Sequence, residues 1–590
     1  MDHSRVKVFF YLTLAAFVII LARIIYLQHF DEDLKERSEL NRVRTIVVEP
    51  SRGRIFDRNG TLLIDNQYAY NLYAIPEQFL KNESSFSFVT ENLGIEKDTL
   101  LSMLTAPEVH ADRFFRIMRD IDFSVYSSFT ENRKELRGIY IKKEWSRKFI
   151  INSAPHLLGY LGEAKEAEEL KTDISYGDLV GKKGIEFVYD SLLRGEKGMM
   201  MEIKDVKGNK ISEYKKEEWK EAKRGKDIYL SLDLTLQQYI ERLLSGKSGS
   251  VVVQNCKNGE ILAMVSKPDY PVDLFNKKLS KEEWKKWSED PAEPLYNKTI
   301  MGLYPPGSVI KMATILAATE QKLKSPSDKV NCPGGMQIGN RFIKCWNRQG
   351  GHGNVDMLSA LYQSCDTYFY DIAIRINLDK WKNTLNRLGF GKKTGIDLRF
   401  ERSGLVPDIK YYKKRITGDL DGRSANLMIG QGELLVTPLQ IANYTSIIAN
   451  GGIKFTPHLL HKYGNDGEFA YFDSTASDTI DLDPKILSVV RKGMYLVVNT
   501  WGGTAIRSKS SIISFAGKTG TAQNPHGDDH AWFTSYGPYD DPEITVTVFE
   551  EFGQHGSGAA LIAKDIFEFW YNSKNKKAPA EEGPVKSDKP

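Results

Sequence analysis

Ser308 and Lys311 stand three residues apart in Pro305-Pro306-Gly307-Ser308-Val309-Ile310-Lys311. At helical spacing their side chains share a face. The run from Val309 to Ala318 is apolar nearly all round, which predicts a buried helix. A lysine buried at the head of such a helix loses its charge more readily. As the free amine it takes the proton of a neighbouring hydroxyl, and the helix N-terminus adds N–H groups suited to an oxyanion. That is the chemistry of an activated serine nucleophile. The bland alternative is an N-capping Ser308 with Lys311 in solvent, and Ser-x-x-Lys alone does not choose between them.

Two further stretches extend this chemistry. Ser364-Cys365-Asp366 offers a second hydroxyl, suited to relaying a proton between Lys311 and a leaving group, and a carboxylate that accepts hydrogen bonds. A helix cap or turn is the plain reading of the same residues. Lys518-Thr519-Gly520-Thr521 lies in the strand-like stretch Ile512 to Ala522. Glycine inside a strand admits close approach of a ligand or another backbone. Lys518 offers a cation for a carboxylate. Thr519 and Thr521 offer hydroxyls, and the strand's N–H groups suit an extended peptide. A surface turn is the alternative.

The cysteines carry a separate argument. Cys332, Cys345 and Cys365 cluster with His352, with 12, 6 and 12 residues between successive members. Three thiolates and one imidazole suit tetrahedral zinc, although the spacing is not the close-paired spacing of a zinc finger. A disulfide such as Cys332–Cys345 is the rival outside the cytoplasm. Three buried thiols with His352 satisfied by backbone is the third reading. Cys256, in a predicted hairpin, reads as a core residue.

The elements that must position these groups follow from the whole chain. It has 590 residues, 41% hydrophobic and 27% charged, which excludes a disordered chain and a polytopic membrane protein. Its 81 Lys+Arg balance 77 Asp+Glu, a net charge of +4, so no basic excess points to nucleic acid. Val8 to Leu27 carries one charge, Arg23 near one end, with Thr13 and the Tyr11 hydroxyl the only polar groups across Val8 to Ala22, and as a helix it spans about 30 Å, enough to cross a bilayer. Arg5 and Lys7 precede it, which predicts a cytoplasmic N-terminus, while Asp31, Glu32, Asp33 and Glu36 follow, mixed with Lys35 and Arg37. No small-residue cleavage site follows the run, so an uncleaved anchor is expected, with the bulk of the chain outside the cytoplasm.

Beyond the anchor, Thr45 to Val48 reads as a strand and Arg52 to Gly60 as a hairpin turning at Asn59-Gly60. Glu163 to Lys171 reads as a charged helix, and Asp233 to Leu244 as an amphipathic helix capped by Asp233. Ser250–Cys256 with Glu260–Ser266, and His530–Tyr536 with Glu543–Glu550, read as two hairpins. Helices lie between them, and Leu561 to Tyr571 forms a closing helix. Strands gathered at both ends of a domain imply an α+β unit with an antiparallel sheet packed by helices. The division expected is a cytoplasmic N-terminus 1–7, a transmembrane anchor 8–28, a first extracytoplasmic domain 29–245, a second 246–573, and a disordered tail 574–590.

The ordered trio of motifs, about 50 and then about 150 residues apart, resembles the signature of penicillin-binding proteins and class A β-lactamases. Ile429-Gly430-Gln431-Gly432 with Thr437-Pro438-Leu439-Gln440, and Asn258 to Met264, are similar to the high-molecular-mass penicillin-binding proteins. Arg52 to Gly60, and Gly184-Ile185-Glu186 with Leu193-Arg194-Gly195, resemble the pedestal (dimerisation-like) domain of that family. No glycosyltransferase domain is apparent, so the likeness is to class B. Ser-Cys-Asp-Thr-Tyr-Phe at 364–369 is similar to the penicillin-binding protein 2 branch, the transpeptidases of cell elongation. His530-Ala531-Trp532-Phe533 fits the division branch equally well.

The resemblance implies a fold: an antiparallel sheet with helices on both sides plus an all-helical lobe, preceded by an elongated α/β pedestal and a single transmembrane helix. It also implies an activity. Ser308 attacks the D-Ala-D-Ala carbonyl of a peptidoglycan stem peptide and Lys311 accepts its proton. Ser364 protonates the departing D-Ala, Asp366 accepts hydrogen bonds, and Lys518 and Thr519 hold the donor carboxylate along Gly520 and Thr521. The N–H groups of Ser308 and Thr521 form the oxyanion hole. β-Lactams acylate the same serine. The resemblance implies a zinc near the second motif, here held through Cys332, Cys345, His352 and Cys365, and no cofactor for acyl transfer itself. A SEDS-family glycosyltransferase is the implied partner, in the cytoplasmic membrane. The competing functions are a division transpeptidase of the same class and a non-catalytic β-lactam sensor or activator of a partner glycosyltransferase.

Overall fold

The computed structural model describes residues 3–29, 43–107, 109–164, 174–175, 177–204, 210–214, 220–276, 279–414 and 420–577. The chain divides into two compact units, Met1–Gly53 with Arg194–Lys226, and Arg54–Leu193 with Asp227–Pro590.

In the first unit a helix runs from His3 to His29, and its stretch Val6–Gln28 is long and apolar enough to cross a membrane. None of that stretch is buried against protein. Its Thr13 hydroxyl donates to Phe9 O at 2.7 Å, so this polar side chain is satisfied within the helix. The acidic residues expected after the run, Asp31 to Glu36, lie outside the described residues. The strand expected at Thr45 to Val48 spans Val43–Val48 and pairs antiparallel with Gly198–Lys204, which pairs in turn with Lys210–Tyr214.

The second unit contains two large sheets. One is built on the long strand Leu62–Ala74, which pairs with Ile139–Phe149 along eleven positions and, through Ile55–Phe56, reaches Asp227–Leu230 and then Leu460–Asn465. The hairpin expected at Arg52 to Gly60 is present. Its turn is held by Asp57, which is buried and accepts the N–H groups of Asn59 and Thr61 at 2.8 and 2.7 Å and that of Leu234 at 3.3 Å. Glu163, expected in a helix, ends the strand Leu161–Glu163, and the rest of that expected helix, 165–171, lies outside the described residues.

The other sheet has five strands: β1 (Gly249–Asn255), β2 (Ile261–Lys267), β3 (Ala516–Ala522), β4 (His530–Gly537) and β5 (Ile544–Glu550). They lie in the order β2-β1-β5-β4-β3, antiparallel throughout, so β3 is an edge strand. The helices that matter for the site are α1 (Leu234–Leu243), α2 (Lys311–Glu320), α3 (Met357–Tyr362), α4 (Asp366–Ala373), α5 (Pro438–Ala449) and α6 (Gly556–Lys577). Asp233 caps α1, accepting from Thr235 and Leu236.

Strand alternation explains the layering. Trp532 and Tyr536 of β4 pack with Ile441, Tyr444 and Ile447 of α5, and Thr534 Oγ1 lies 2.6 Å from Thr445 Oγ1 on the same face. Ala531 and Phe533 face the other way, onto Ala559, Ala563 and Phe567 of α6. Each large apolar side chain fully buried in this way stabilises by about 1.5–3 kcal/mol.

The lobe beyond the sheet, expected to be all helical, also carries two short antiparallel ribbons, Val330–Cys332 with Gly353–Val355 and Gly335–Ile338 with Arg341–Lys344. This stretch is rich in glycine and has no helical period. The closing helix α6 runs past the expected Leu561–Tyr571 at both ends, to Lys577, and residues 578–590 of the expected tail lie outside the described residues.

Candidate active site

Ser308 sits in a 3₁₀ turn, Gly307–Ile310, and Lys311 opens the α-helix that follows. The single helix expected from Val309 is thus split, because its apolar pattern suits either pitch. The turn is clamped from three sides. Tyr304 exchanges two main-chain hydrogen bonds of 3.0 Å with Val436. The indole of Trp532 donates to Pro305 O at 3.0 Å. Gly307 has φ of 57° and donates to Gly430 O at 2.8 Å, and a Cβ on Gly307 would lie 2.6 Å from Thr521 O.

Gly430 is equally constrained, since a Cβ there would lie 2.1 Å from Gly307 O. The neighbouring Gln431 side chain donates to Thr521 O at 3.0 Å and accepts from Gln523 N at 3.1 Å, tying this loop to β3. Gly520 brings Pro306 O within 2.9 Å of where its own Cβ would be. The close approach expected at Gly520 is therefore made by the serine turn of the same chain.

Lys311 has no exposed surface, which excludes the reading of a solvent lysine. Its Nζ lies 2.6 Å from Asp366 Oδ1, 2.9 Å from Ser364 O and 3.2 Å from Ser364 Oγ. Asp366 Oδ2 accepts the main-chain N–H of Trp346 at 2.9 Å. The expected contact of Lys311 with Ser308 is replaced by these three: no hydrogen bond joins Ser308 Oγ to Lys311 among the described residues.

Ser364 lies between α3 and α4 with φ of 56°, a left-handed conformation that a residue with a Cβ adopts only when its surroundings hold it there. Lys518 reaches it from β3, donating to Ser364 Oγ at 3.0 Å and to Thr519 O at 2.9 Å. Full burial, reinforced by the charge of Lys311 and opposed by Asp366, holds Lys518 well below the ordinary lysine range. Lys518, expected to offer a cation for a carboxylate, is buried beside Ser364. Thr519 Oγ1 lies 2.6 Å from Thr504 Oγ1, and Thr521 is half-buried on the same edge strand.

The structure thus brings Ser308, Lys311, Ser364, Asp366, Lys518, Thr519, Gly520 and Thr521 into one neighbourhood. Sequence reasoning missed Thr504, Trp346 and the clamping contacts of Gly430 and Gln431. Only the quoted Gly430-Gln431-Gly432 stretch hinted at any of them.

The Cys/His group is also assembled. One ligand atom from each of Cys332, Cys345, His352 and Cys365 lies within 4.8 Å of every other. His352 Nδ1 is 3.6 Å from both Cys332 Sγ and Cys345 Sγ. A tetrahedral zinc with its usual bond lengths sets a sulfur–nitrogen separation of about 3.6 Å, so the donors fit the ion. The remaining ring nitrogen, Nε2, is buried and unpartnered among the described residues. The hydrogen bond from Cys365, together with His352, draws the Cys345 thiol far down, while the same bond pushes Cys365 up. All four cysteines are free, so the disulfide alternative is not formed. Burial pushes the lone Cys256 thiol up to about 12.

An antiparallel sheet between helices, with a clamped serine turn, a second serine and two buried lysines against its edge strand, is the architecture of an acyl-serine enzyme. The Penicillin binding protein transpeptidase domain matches residues 249–568, and the Penicillin-binding Protein dimerisation domain matches residues 47–230. The peptidoglycan D,D-transpeptidase MrdA of Haemophilus influenzae is 32% identical over 580 residues, 91% of this chain and 87% of that protein. The protein of the same name from Escherichia coli K12 is 30% identical, covering 93% and 91%. The solved complex of penicillin-binding protein PBP2 with MreC from Helicobacter pylori superposes with a TM-score of 0.79 at 29% identity, covering 90% of this chain and all of that one. The chain belongs to the penicillin-binding protein transpeptidase family, in its class B, PBP2-like branch.

Proposed function

We propose that the protein is the peptidoglycan D,D-transpeptidase of cell elongation, cross-linking stem peptides through an acyl-serine and taking β-lactams at the same serine. The observation that carries this reading is the convergence of Lys311 and Lys518 on Ser364 Oγ beside the Ser308 turn. Likeness to relatives named MrdA and PBP2 supports elongation over division and over a non-catalytic sensor.

The chemistry follows from the residues. Ser308 Oγ attacks the carbonyl between the two D-Ala residues, and Lys311, which pairs with Asp366 as the ammonium in the resting site, takes its proton once it has given up its own. The carbon–nitrogen bond breaks and Ser364 passes a proton to the departing amine, regaining one from Lys311. An amine from a neighbouring stem then displaces Ser308, which recovers its proton. The N–H groups of Ser308 and Thr521 face the developing oxyanion, a donor of the kind worth about 100- to 1000-fold in rate. The free edge of β3 takes the donor peptide in extended form, with Lys518 and Thr519 at its carboxylate. Asp366 keeps Lys311 in place.

The domains divide at 245/246, with residues 8–28 as anchor, the N-terminus in the cytoplasm and the bulk of the chain outside. Arg5 and Lys7 before the apolar helix support that orientation. The partner is a synthase, and the reading here is a SEDS-family glycosyltransferase. Cys332, Cys345, His352 and Cys365 hold a structural zinc that fixes the loop bearing Ser364, and the ion takes no part in acyl transfer.

Exposure of the full-length chain to a fluorescent penicillin tests the reading. Wild-type protein becomes labelled, one label per chain, and Ser308→Ala does not. A folded wild-type chain that takes no label overturns the assignment.

A further inference from the structure

Trp346 directly follows Cys345, and 56% of it is exposed. An exposed indole ordinarily spends its N–H on water. Here both N–H groups of the residue are spent inside the site. The main-chain N–H donates to Asp366 Oδ2 at 2.9 Å, while Lys311 holds Oδ1 at 2.6 Å. The indole Nε1–H donates to the carbonyls of Gln363 and Ser364, both at 3.1 Å. The Ser364 carbonyl thus receives two donors, Trp346 and Lys311, the latter at 2.9 Å. The indole also packs edge-on against His352, ring centres 5.2 Å apart.

These contacts surround the left-handed Ser364, whose φ is 56°. Rotating the peptide after Ser364 would strip its carbonyl of both donors and swing the hydroxyl away from the lysines. We propose that Trp346 is a positioning residue for Ser364: its indole N–H holds the strained turn that aims the relay hydroxyl, and its main-chain N–H holds Asp366 against Lys311. The inference rests on the acyl-transfer reading above. It also gives the Cys/His group a route to the site, through the bond from Cys345 to Trp346 and the ring contact with His352.

A residue that aims a proton donor matters most when the leaving group needs a proton. A β-lactam or amide nitrogen needs one on departure, whereas a thiolate departs with little help. Trp346→Phe keeps a ring against His352 and removes the indole N–H. The experiment measures acylation rate constants of the full-length variant with a fluorescent penicillin and with a thioester analogue of the D-Ala-D-Ala donor. Phe342→Ala, an exposed change in the neighbouring ribbon, serves as control. The penicillin rate constant falls about tenfold and the thioester rate by less than about threefold, while the fraction finally labelled stays at the wild-type level. An unchanged penicillin rate, or equal losses on both substrates, overturns the proposal. If Trp346→Phe does not fold, 3-benzothienylalanine at position 346 removes the N–H without altering shape, and the same outcomes apply. Absence of label on the wild-type chain would instead overturn the acyl-transfer reading, so the two failures are distinct.

Discussion

Lys311 and Asp366 form an ion pair of 2.6 Å within the site, with the lysine wholly buried and the carboxylate largely so. The pair fixes the start of α2 against the start of α4. Asp366→Asn leaves the Lys311 charge buried with no counterion, a change that costs about 3–5 kcal/mol. Urea unfolding of the detergent-solubilised chain will show this loss, and penicillin labelling of the variant will be slower than wild type. Unchanged stability would mean that the pair is dispensable.

Lys518 gives a prediction about pH. Its folded value lies below the ordinary lysine value, so between the two the unfolded chain binds more protons and stability rises with pH. The burden of the buried cation is present in full below the folded value and fades as pH climbs towards 10.5. Lys518→Met will therefore be the more stable protein at low and neutral pH, since exchanging buried charge for apolar volume stabilises by about 1–4 kcal/mol. Parallel melts of both proteins at rising pH will show the gap close, and the variant will label poorly at every pH.

Gly307→Ala places a methyl group 2.6 Å from Thr521 O at a residue with φ of 57°. The left-handed backbone alone costs about 1–2 kcal/mol. The larger effect is on rate, because displacing the Ser308 turn by about 1 Å costs about 100-fold. Gly422→Ala is the matched control, with open space around its Cβ inside the helix Asp421–Met428, and it stabilises by about 0.5–1 kcal/mol. Labelling time courses and melts of the two variants will separate site geometry from general tolerance of alanine.

Purified protein will carry one zinc per chain, lost in Cys365→Ser and retained in Cys256→Ala. Chelation will lower the melting temperature, because an ion bound only by the folded state stabilises it by mass action. It will also slow penicillin labelling, because Cys365 lies between Ser364 and Asp366. Metal analysis with and without chelator reads both effects, and absence of stoichiometric zinc ends the metal assignment.

Much of this architecture was legible in the residues. The two hairpins of the five-stranded sheet, the capped helix after Asp233 and the apolar N-terminal helix all follow from period and turn chemistry. Ser308, Ser364 and Lys518 stood out by type. Their partners did not. The clamp of Gly307 by Gly430 and Thr521 depends on backbone approach between segments more than 85 residues apart, which no local pattern carries. The 3₁₀ turn at Ser308 was hidden because apolar spacing reports burial and leaves the pitch open. The ribbons between Val330 and Val355 were missed because runs of three or four residues have no period to read. Trp346 offered no signal beyond its place after Cys345.

Ser364 Oγ receives a donor from Lys311 and another from Lys518. A hydroxyl has two lone pairs and one hydrogen, and here both lone pairs are occupied. Its hydrogen is left to point away from the two lysine nitrogens. The group is thereby polarised as a one-way valve: it can give in only one direction, and it can be refilled only from behind.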